Sequence, residues 1–483
     1  MREVWTTERV RAAEAKVLAR TPPGALMRRA AFAVSVRAAE LLSEHAGRVA
    51  GTHVVLFVGS GDNGGDALWA GAMLRRRGVA VTAVLLNPER AHREGLAALR
   101  RAGGRVVEPA QAGPALDRAD LVVDGIVGLS ARGGLRPQAA ELVAQAGAPI
   151  LAVDLPSGVE PDTGAVEGEA VHATATVTFG AYKPLHFLEP AAGLCGDVRL
   201  VDIGIRPELG DPDFVALDPA DVGLAWPVPR SADDKYTQGV TGVVAGSSRF
   251  PGAAVLAVGG AVQATSGMVR YAGYAADAVR NRWPEVIATG SLADSGRVQA
   301  WVVGPGSGTG SDSQEMLREV LAAGVPVCAD ADATTMIAQN PDLLLARDPD
   351  TPLVLTPHER EFERLAGSVG TDRIAAARRA AQRYHAVVLL KGHCTVIADD
   401  KGHTYVQRSG RSWPATAGSG DVLSGMIGAL LAAGLEPAFA AACAALAHDE
   451  AAARAAANAP TSASSIAAAI PEAVRALRGF VRP

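Results

Sequence analysis

The sequence predicts two α/β domains joined by a proline-rich break, on three observations. Short apolar runs alternate with helical stretches along most of the chain, which implies mainly parallel sheets covered on both faces. The 483 residues exceed what one core usually serves. Between residues 206 and 234 the alternation dissolves. Pro207, Pro212, Pro219, Pro227 and Pro229 interrupt helix and strand, and Asp211, Asp213, Asp218 and Asp221 keep the segment polar. A boundary near residue 225 is expected, giving domains 1–225 and 226–483. No internal repeat relates the halves.

Composition narrows the function classes. With 48% hydrophobic and 20% charged residues and a net charge of −5, the chain falls in the ordinary range for a globular protein. No basic excess suggests nucleic acid, and no acidic block suggests a solvating tail. Cys195, Cys328, Cys394 and Cys443 are far apart and form no C-x-x-C, so reduced thiols in a cytoplasm are expected. The charged N-terminus lacks a signal-peptide core, and apolar runs such as 253–258 are too short to span a bilayer, so no membrane partner is expected.

In the first half, residues 7–42 read as helix, broken around Thr21-Pro22-Pro23-Gly24. A strand at 53–58 runs into the loop Gly59 to Asp66, and a helix is expected over 67–76. Further strands fit 79–86, 120–124, 150–154, 173–179 and 198–201. The result is a Rossmann-like three-layer α/β/α domain. Gly59, Gly61 and Gly64 match G-x-G-x-x-G. The following strand ends in Asn87, with no acidic residue for a ribose, and Asp62 and Asp66 would repel a pyrophosphate. Oxygen-bearing side chains in a glycine-rich loop suit a cation or a polar sugar-like group better. A tight turn with Asp66 as helix cap is the plainer alternative. Asn63, Asp124, Asp154 and Ser157 all fall at carboxyl ends of strands, where open parallel sheets bind ligands.

The set GSGDNGGDA, DGIVGLSARGG and VDLPSGVEPDTG resembles the epimerase domain of the NAD(P)H-hydrate repair enzymes over about residues 4 to 205. The resemblance implies a potassium ion (K+) held by Asn63, Asp124 and Ser157. It places the substrate, a hydrated nicotinamide nucleotide, against two loops and a strand end. The first loop is Asp62, Asn63, Gly64, Gly65 and Asp66. The second is Gly128, Leu129, Ser130, Ala131, Arg132, Gly133 and Gly134. The strand end is Asp154, which is the candidate for handling the proton. The family loop reads N-N-G-G-D-G, and here Asp62 and Ala67 replace its ends.

In the second half, strands fit 242–245, 302–303, 325–330, 353–358 and 387–392, with an Ala-rich helix over 251–269 and two late ones. Asp330, Asp332, His358, Glu361 and Lys391 gather at strand ends. Gly418, Ser419 and Gly420 precede an apolar helix and would offer converging amides to a phosphate. Asp421, in its first turn, could take a proton from a hydroxyl held nearby. Each residue also has a plainer reading: Asp421 complementing the helix dipole, His358 capping a helix, Lys391 solvated at a strand end. Together a phosphate nest, a lysine and a facing aspartate make a phosphoryl-transfer site, though no P-loop or protein-kinase motif is present.

GSGD before a late helix is similar to the anion hole of ribokinase-like enzymes. GVVAGSSRFPGA, VVGPGSG, DADAT, LTPHEREF and VVLLKGHCT narrow the resemblance to the NAD(P)H-hydrate dehydratase domain, from about residue 235 to the end. It implies substrate contacts at Ala253, Gly306, His358 and Asp421. It implies nucleotide contacts at Lys391, Gly392, His393, Cys394 and Thr395 and at Gly418, Ser419 and Gly420. Asp421 would be the catalytic base, ionised because the nearby amides favour its charge. The implied enzyme is bifunctional. It epimerises R and S hydrates (NADHX, NADPHX) and dehydrates the S form as ADP becomes AMP and phosphate, with Mg2+ on the nucleotide. A cytoplasmic homo-oligomer is expected. The alternatives are a ribokinase-like vitamin-precursor kinase fused to a ligand-binding domain, and a non-enzymatic nucleotide-sensing scaffold.

Overall fold

The computed structural model describes residues 1–130, 132–265, 267–409 and 412–480. Its backbone contacts group into two compact units, Glu3–Asp213 and Phe214–Pro483, the latter with Met1–Arg2.

The first unit is built on a seven-stranded sheet. In spatial order its strands are Arg105–Val107, Ala80–Leu85, His53–Val58, Leu121–Gly125, Ile150–Val153, Ala175–Phe179 and Asp197–Val201. Every pairing is parallel. The apolar runs are unbroken because both faces are covered. Val54, Leu56 and Val58 point into one core, and Val55 and Phe57 into the core on the other face. From His53–Val58 the chain first builds outward on one side, then returns to lay Leu121–Gly125 on the other. That reversal opens a crevice beyond the carboxyl ends of these two strands.

Two local expectations change. The helix after strand His53–Val58 begins at Asp62 and runs to Arg76, so more than half of the expected loop is helical. Gly61 is its extended cap, and Asp62 sits where a carboxylate complements the helix dipole. Asp66 therefore lies inside the helix and does not cap it. Segment 206–234 is also more ordered than its prolines suggest. It contains a strand, Phe214–Ala216, and a helix, Pro219–Ala225. Pro219 occupies the first helical turn, where its missing N–H costs nothing, and Asp218 and Asp221 form a capping box.

In the second unit seven strands are neighbours in parallel: Ile287–Thr289, Met268–Ala272, Val240–Val244, Ala300–Val303, Val327–Ala329, Leu353–Leu355 and Val387–Leu390. Met268–Ala272 was not anticipated, and the preceding helix, Pro251–Ala264, is correspondingly shorter than expected. An antiparallel hairpin, Cys394–Ala398 with Thr404–Arg408, extends the sheet, also unanticipated. The helix Ser419–Ala432 is buried along nearly its whole length against Pro251–Ala264. A Cβ on Gly425 would lie 2.0 Å from the Ala257 carbonyl oxygen, and one on Gly260 2.1 Å from that of Val422. The small residues thus let two backbones touch, which fixes the start of the Ser419–Ala432 helix. Among the described residues no helix is long and apolar enough to cross a membrane.

Candidate active sites

In the first unit the glycine loop serves packing. A Cβ on Gly59 would fall 1.8 Å from the Ile126 carbonyl oxygen, and one on Gly64 2.4 Å from that of Gly59. These contacts draw the helix start against two strand ends. Asn63, Asp124 and Ser157 are brought together there. Ser157 donates from its N and Oγ to the Asp124 carboxylate at 2.8 and 2.7 Å, and the Ile126 N donates to it at 3.2 Å. The Asn63 Nδ2 donates to the carbonyls of Val127 and Val153 at 2.8 and 2.6 Å. Asp124 is buried among neutral donors, and burial pushes its carboxyl above the usual range. One carboxylate amid neutral oxygens fits a monovalent cation. To offer its oxygen to a cation the Asn63 amide would have to turn and give up its two bonds to the Val127 and Val153 carbonyls.

Beside this set lies an ion pair that sequence reasoning did not find. Lys183, buried, donates to Asp154 Oδ1 at 2.6 Å, to Thr178 Oγ1 at 2.8 Å and to the Phe179 carbonyl at 3.0 Å. The backbone of Asp154 is at φ 67°, a left-handed conformation uncommon for a non-glycine residue and often found at functional sites. His186 Nε2 lies 3.1 Å from the Asp154 carbonyl, and burial drops the imidazole to about 4. Asp66 is buried, and its Oδ1 has no hydrogen-bond partner. Its carboxyl is held well above the usual range, by burial first and then by Asp154, Asp62 and Glu14. Glu14, on helix Thr7–Leu18, is itself raised by burial. A lysine after an apolar strand, in Ala181-Tyr182-Lys183-Pro184, was the available signal. Glu14 carried none, because its helix reads as an ordinary amphipathic one.

The loop 128–134, expected to meet substrate, is only partly tied to this cluster. Gly128 abuts Asn63, whose Oδ1 would lie 2.9 Å from a Cβ there. Ser130 Oγ accepts from Arg11 at 2.7 Å, and exposed Arg132 pairs with Glu160 at 3.2 Å. Gly133 and Gly134 continue the loop, and Leu129 packs at the edge of the core. Ala131 lies outside the described residues.

The second unit gathers its charges at three strand ends and one helix start. Lys391 Nζ sits 2.7 Å from Asp330 Oδ1 and 4.0 Å from Glu361 Oε2, and Thr356 donates to Asp330 at 2.8 Å. Burial lowers the Lys391 ammonium, but Asp330, Glu361 and Asp421 together raise it above the usual value. A Cβ on Gly420 would lie 3.3 Å from Lys391 Nζ, so the helix start and the lysine face each other. Gly418 caps the helix at φ 82°, a left-handed turn in which the Ser419 amide donates to the Thr416 carbonyl at 3.1 Å and the first-turn amides of Gly420 and Asp421 follow. Ser419 Oγ lies 3.0 Å from His448 Nε2, a buried imidazole that burial lowers to about 4. His448 belongs to a late helix that reads only as Ala-rich packing.

Asp421 corrects an expectation. The carboxyl is raised to about 7, first by burial, then by Asp330, with Lys391 opposing. Its neighbours favour the proton, and the amides do not hold it charged. A base poised near neutrality is suited to proton transfer.

His358 caps helix Glu359–Ala366, accepting from the Glu361 N at 3.2 Å, while its own N donates to Glu361 at 2.9 Å. The plainer reading of His358 is thus realised, with half of its side chain still exposed. Ala253 and Gly306 meet, a Cβ on Gly306 falling 2.7 Å from that of Ala253. Of the 391–395 stretch, the Lys391 carbonyl accepts from Arg373, Thr395 donates to Gly392, and the His393 carbonyl accepts from Ser409. Cys394 opens the antiparallel hairpin with its thiol buried. Among the described residues no three His, Cys, Asp or Glu side chains are placed to cage a metal. Mg2+ commonly uses one or two carboxylates with nucleotide phosphates, and Glu361 and the 330–332 turn offer such oxygens.

Comparison with known proteins gives concordant matches. A family model described as NAD(P)H-hydrate dehydratase matches residues 241–472, and one described as YjeF-related protein N-terminus matches residues 23–185. The chain is 54% identical over 456 residues to the bifunctional NAD(P)H-hydrate repair enzyme Nnr of Mycobacterium leprae, covering 94% of each chain. It is 55% identical over 446 residues to the protein of that name from Mycobacterium tuberculosis, covering 92% of each. A ribokinase-like superfamily protein from Enterococcus faecalis superposes with a TM-score of 0.50 at 21% identity, covering 56% of this chain and 98% of that one, a likeness of fold.

Proposed function

The chain belongs to the bifunctional NAD(P)H-hydrate repair enzymes, and from that premise we propose how its two units divide the work. The first interconverts the R and S hydrates of NADH or NADPH. The second dehydrates the S hydrate, with ADP converted to AMP and phosphate.

The observation that carries the second activity is Asp421 at a helix start facing Lys391 and Asp330. Hydroxide leaves a ring carbon poorly, and phosphorylating it makes a good leaving group. Asp421 takes the hydroxyl proton as the oxygen attacks the terminal phosphorus of ADP. The amides of the Gly418 turn and the Lys391 ammonium hold the charge spreading over the transferred phosphoryl. Ser419, held by His448, keeps that turn in place. Glu361 and the 330–332 carboxylates would hold Mg2+ with the nucleotide. Bound there, the ion would neutralise phosphate charge.

In the first unit Asn63, Asp124 and Ser157 would hold potassium. The ion would supply a fixed positive charge beside the substrate phosphates. Asp154, steadied by Lys183, handles the proton. The loops 62–66 and 128–134 wrap the hydrated nucleotide. We place the enzyme in the cytoplasm as a homo-oligomer, which sizing of the purified protein would measure.

The test is direct. The chain is incubated with NADHX and ADP, and NADH absorbance and free phosphate are followed. Equal appearance of the two supports the reading. A stable phosphorylated product would indicate a kinase, and binding without turnover a sensor.

A further inference from the structure

The first unit holds two carboxyl groups in opposite circumstances. Asp154 is clasped by an ammonium and a hydroxyl, Lys183 and Thr178. Asp66 is 5% exposed, and its Oδ1 meets no donor at all. A buried carboxylate oxygen with no partner is costly, whereas a carboxylic acid in the same place loses little and can donate. The charged and titratable groups around Asp66 are Glu14 from the first helix, Asp62 on its own helix, and Asp154 with Lys183 from the neighbouring strand ends. The acids push Asp66 toward its neutral form. Two carboxyls in such different surroundings, one clasped by donors and one with none on its Oδ1, mark a base and an acid.

We propose that Asp66 is the catalytic acid of the epimerisation and Asp154 its base, working on the two faces of the hydrated ring. This rests on the reading that the first unit acts on the R and S hydrates. The hydroxyl of the hydrate sits on the ring carbon bonded to the ring nitrogen. Asp66 gives its proton to that oxygen. The C–O bond breaks, water departs, and the nitrogen lone pair forms a C=N+ bond. Water adds to the opposite face, breaking the new π bond back to the nitrogen, and loses a proton to Asp154. Asp154 then releases its proton to solvent and solvent returns one to Asp66, so the cycle consumes nothing. In the reverse direction the two carboxyls exchange roles. Lys183 is a positioning residue that holds and aims the Asp154 carboxylate.

The test uses the full chain and the pure R hydrate in water enriched in ¹⁸O. Each epimerised molecule should carry one ¹⁸O at the ring hydroxyl. S hydrate retaining its original oxygen would overturn the proposal. Asp66→Asn keeps the shape and should lose about 10²- to 10⁴-fold in epimerisation rate at unchanged KM. A variant within a few-fold of the parent would also overturn it. In the parent the rate should fall as pH rises and Asp66 loses its proton, and that limb should vanish in Asp66→Asn. This profile needs only the parent if the variant does not fold, and a rate that shows no falling limb as pH rises would overturn the assignment. A parent chain that interconverts no hydrate would refute the proposed function itself, a different outcome from any of these.

Discussion

Replacing Asp421 by Asn keeps its shape and removes the proton acceptor. Loss of a general base costs about 10²- to 10⁴-fold in rate, or roughly 3–5 kcal/mol of barrier. The pH profile adds a sharper test. With the carboxyl at about 7, about one-tenth would be ionised at pH 6 and about nine-tenths at pH 8. Dehydration should therefore climb through that window. The terminal phosphate of ADP also titrates near there, at about 6, so the climb alone is ambiguous. Asp330 is the largest charge raising Asp421. Asp330→Asn should move the acid limb to lower pH, whereas a limb due to ADP would stay. Stability follows the same linkage with a checkable sign. The folded carboxyl is raised from 3.8 to about 7, so its favourable contribution is full below about 4 and is lost as pH rises through 7. Asp421→Asn should therefore melt higher than the parent at pH 8, by on the order of 4 kcal/mol at most, and equally at pH 4. Dehydration by Asp421→Asn within tenfold of the parent, with a limb unmoved in Asp330→Asn, would refute the assignment of the base.

Other outcomes follow from the same geometry. Lys183→Met leaves Asp154 buried without its cation and should destabilise the first unit by about 3–5 kcal/mol, read as an early transition in a urea melt. Asp124→Ala should abolish epimerisation and spare dehydration. In the parent, exchanging potassium for a bulky organic cation should suppress epimerisation, and zinc held tightly at Asp124 would contradict the site. The two halves should fold separately. A fragment starting at 214 keeps Leu217 and Val222 in its core, and one starting at 226 loses both and should melt lower.

Much of the fold was legible because buried parallel strands read as unbroken apolar runs, and Val54 to Val58 is the plain case. The glycine motif was harder. Gly59 and Gly64 look the same in sequence whether they admit a phosphate or let backbones touch, and only the 1.8 and 2.4 Å approaches distinguish the two. The prolines of 206–234 misled because Pro219 sits at a helix start, where proline is welcome. Strand-end polar residues were found because α/β topology sends them to one edge. Glu14 and His448 were missed because their helices read as ordinary amphipathic and Ala-rich packing elements, and Lys183 because a lysine following a strand reads as solvated. Burial reversed the expectation for Asp421, since no motif records how much water a carboxylate loses.

The division of labour is tested most directly with pure R and pure S hydrate, each given to the parent, Asp124→Ala and Asp421→Asn with ADP. The parent should make NADH from both. Asp124→Ala should make it from S alone, apart from slow spontaneous interconversion. Asp421→Asn should make almost none, yet still scramble R and S. NADH formed equally from both epimers by Asp124→Ala, or scrambling lost in Asp421→Asn, would contradict the account.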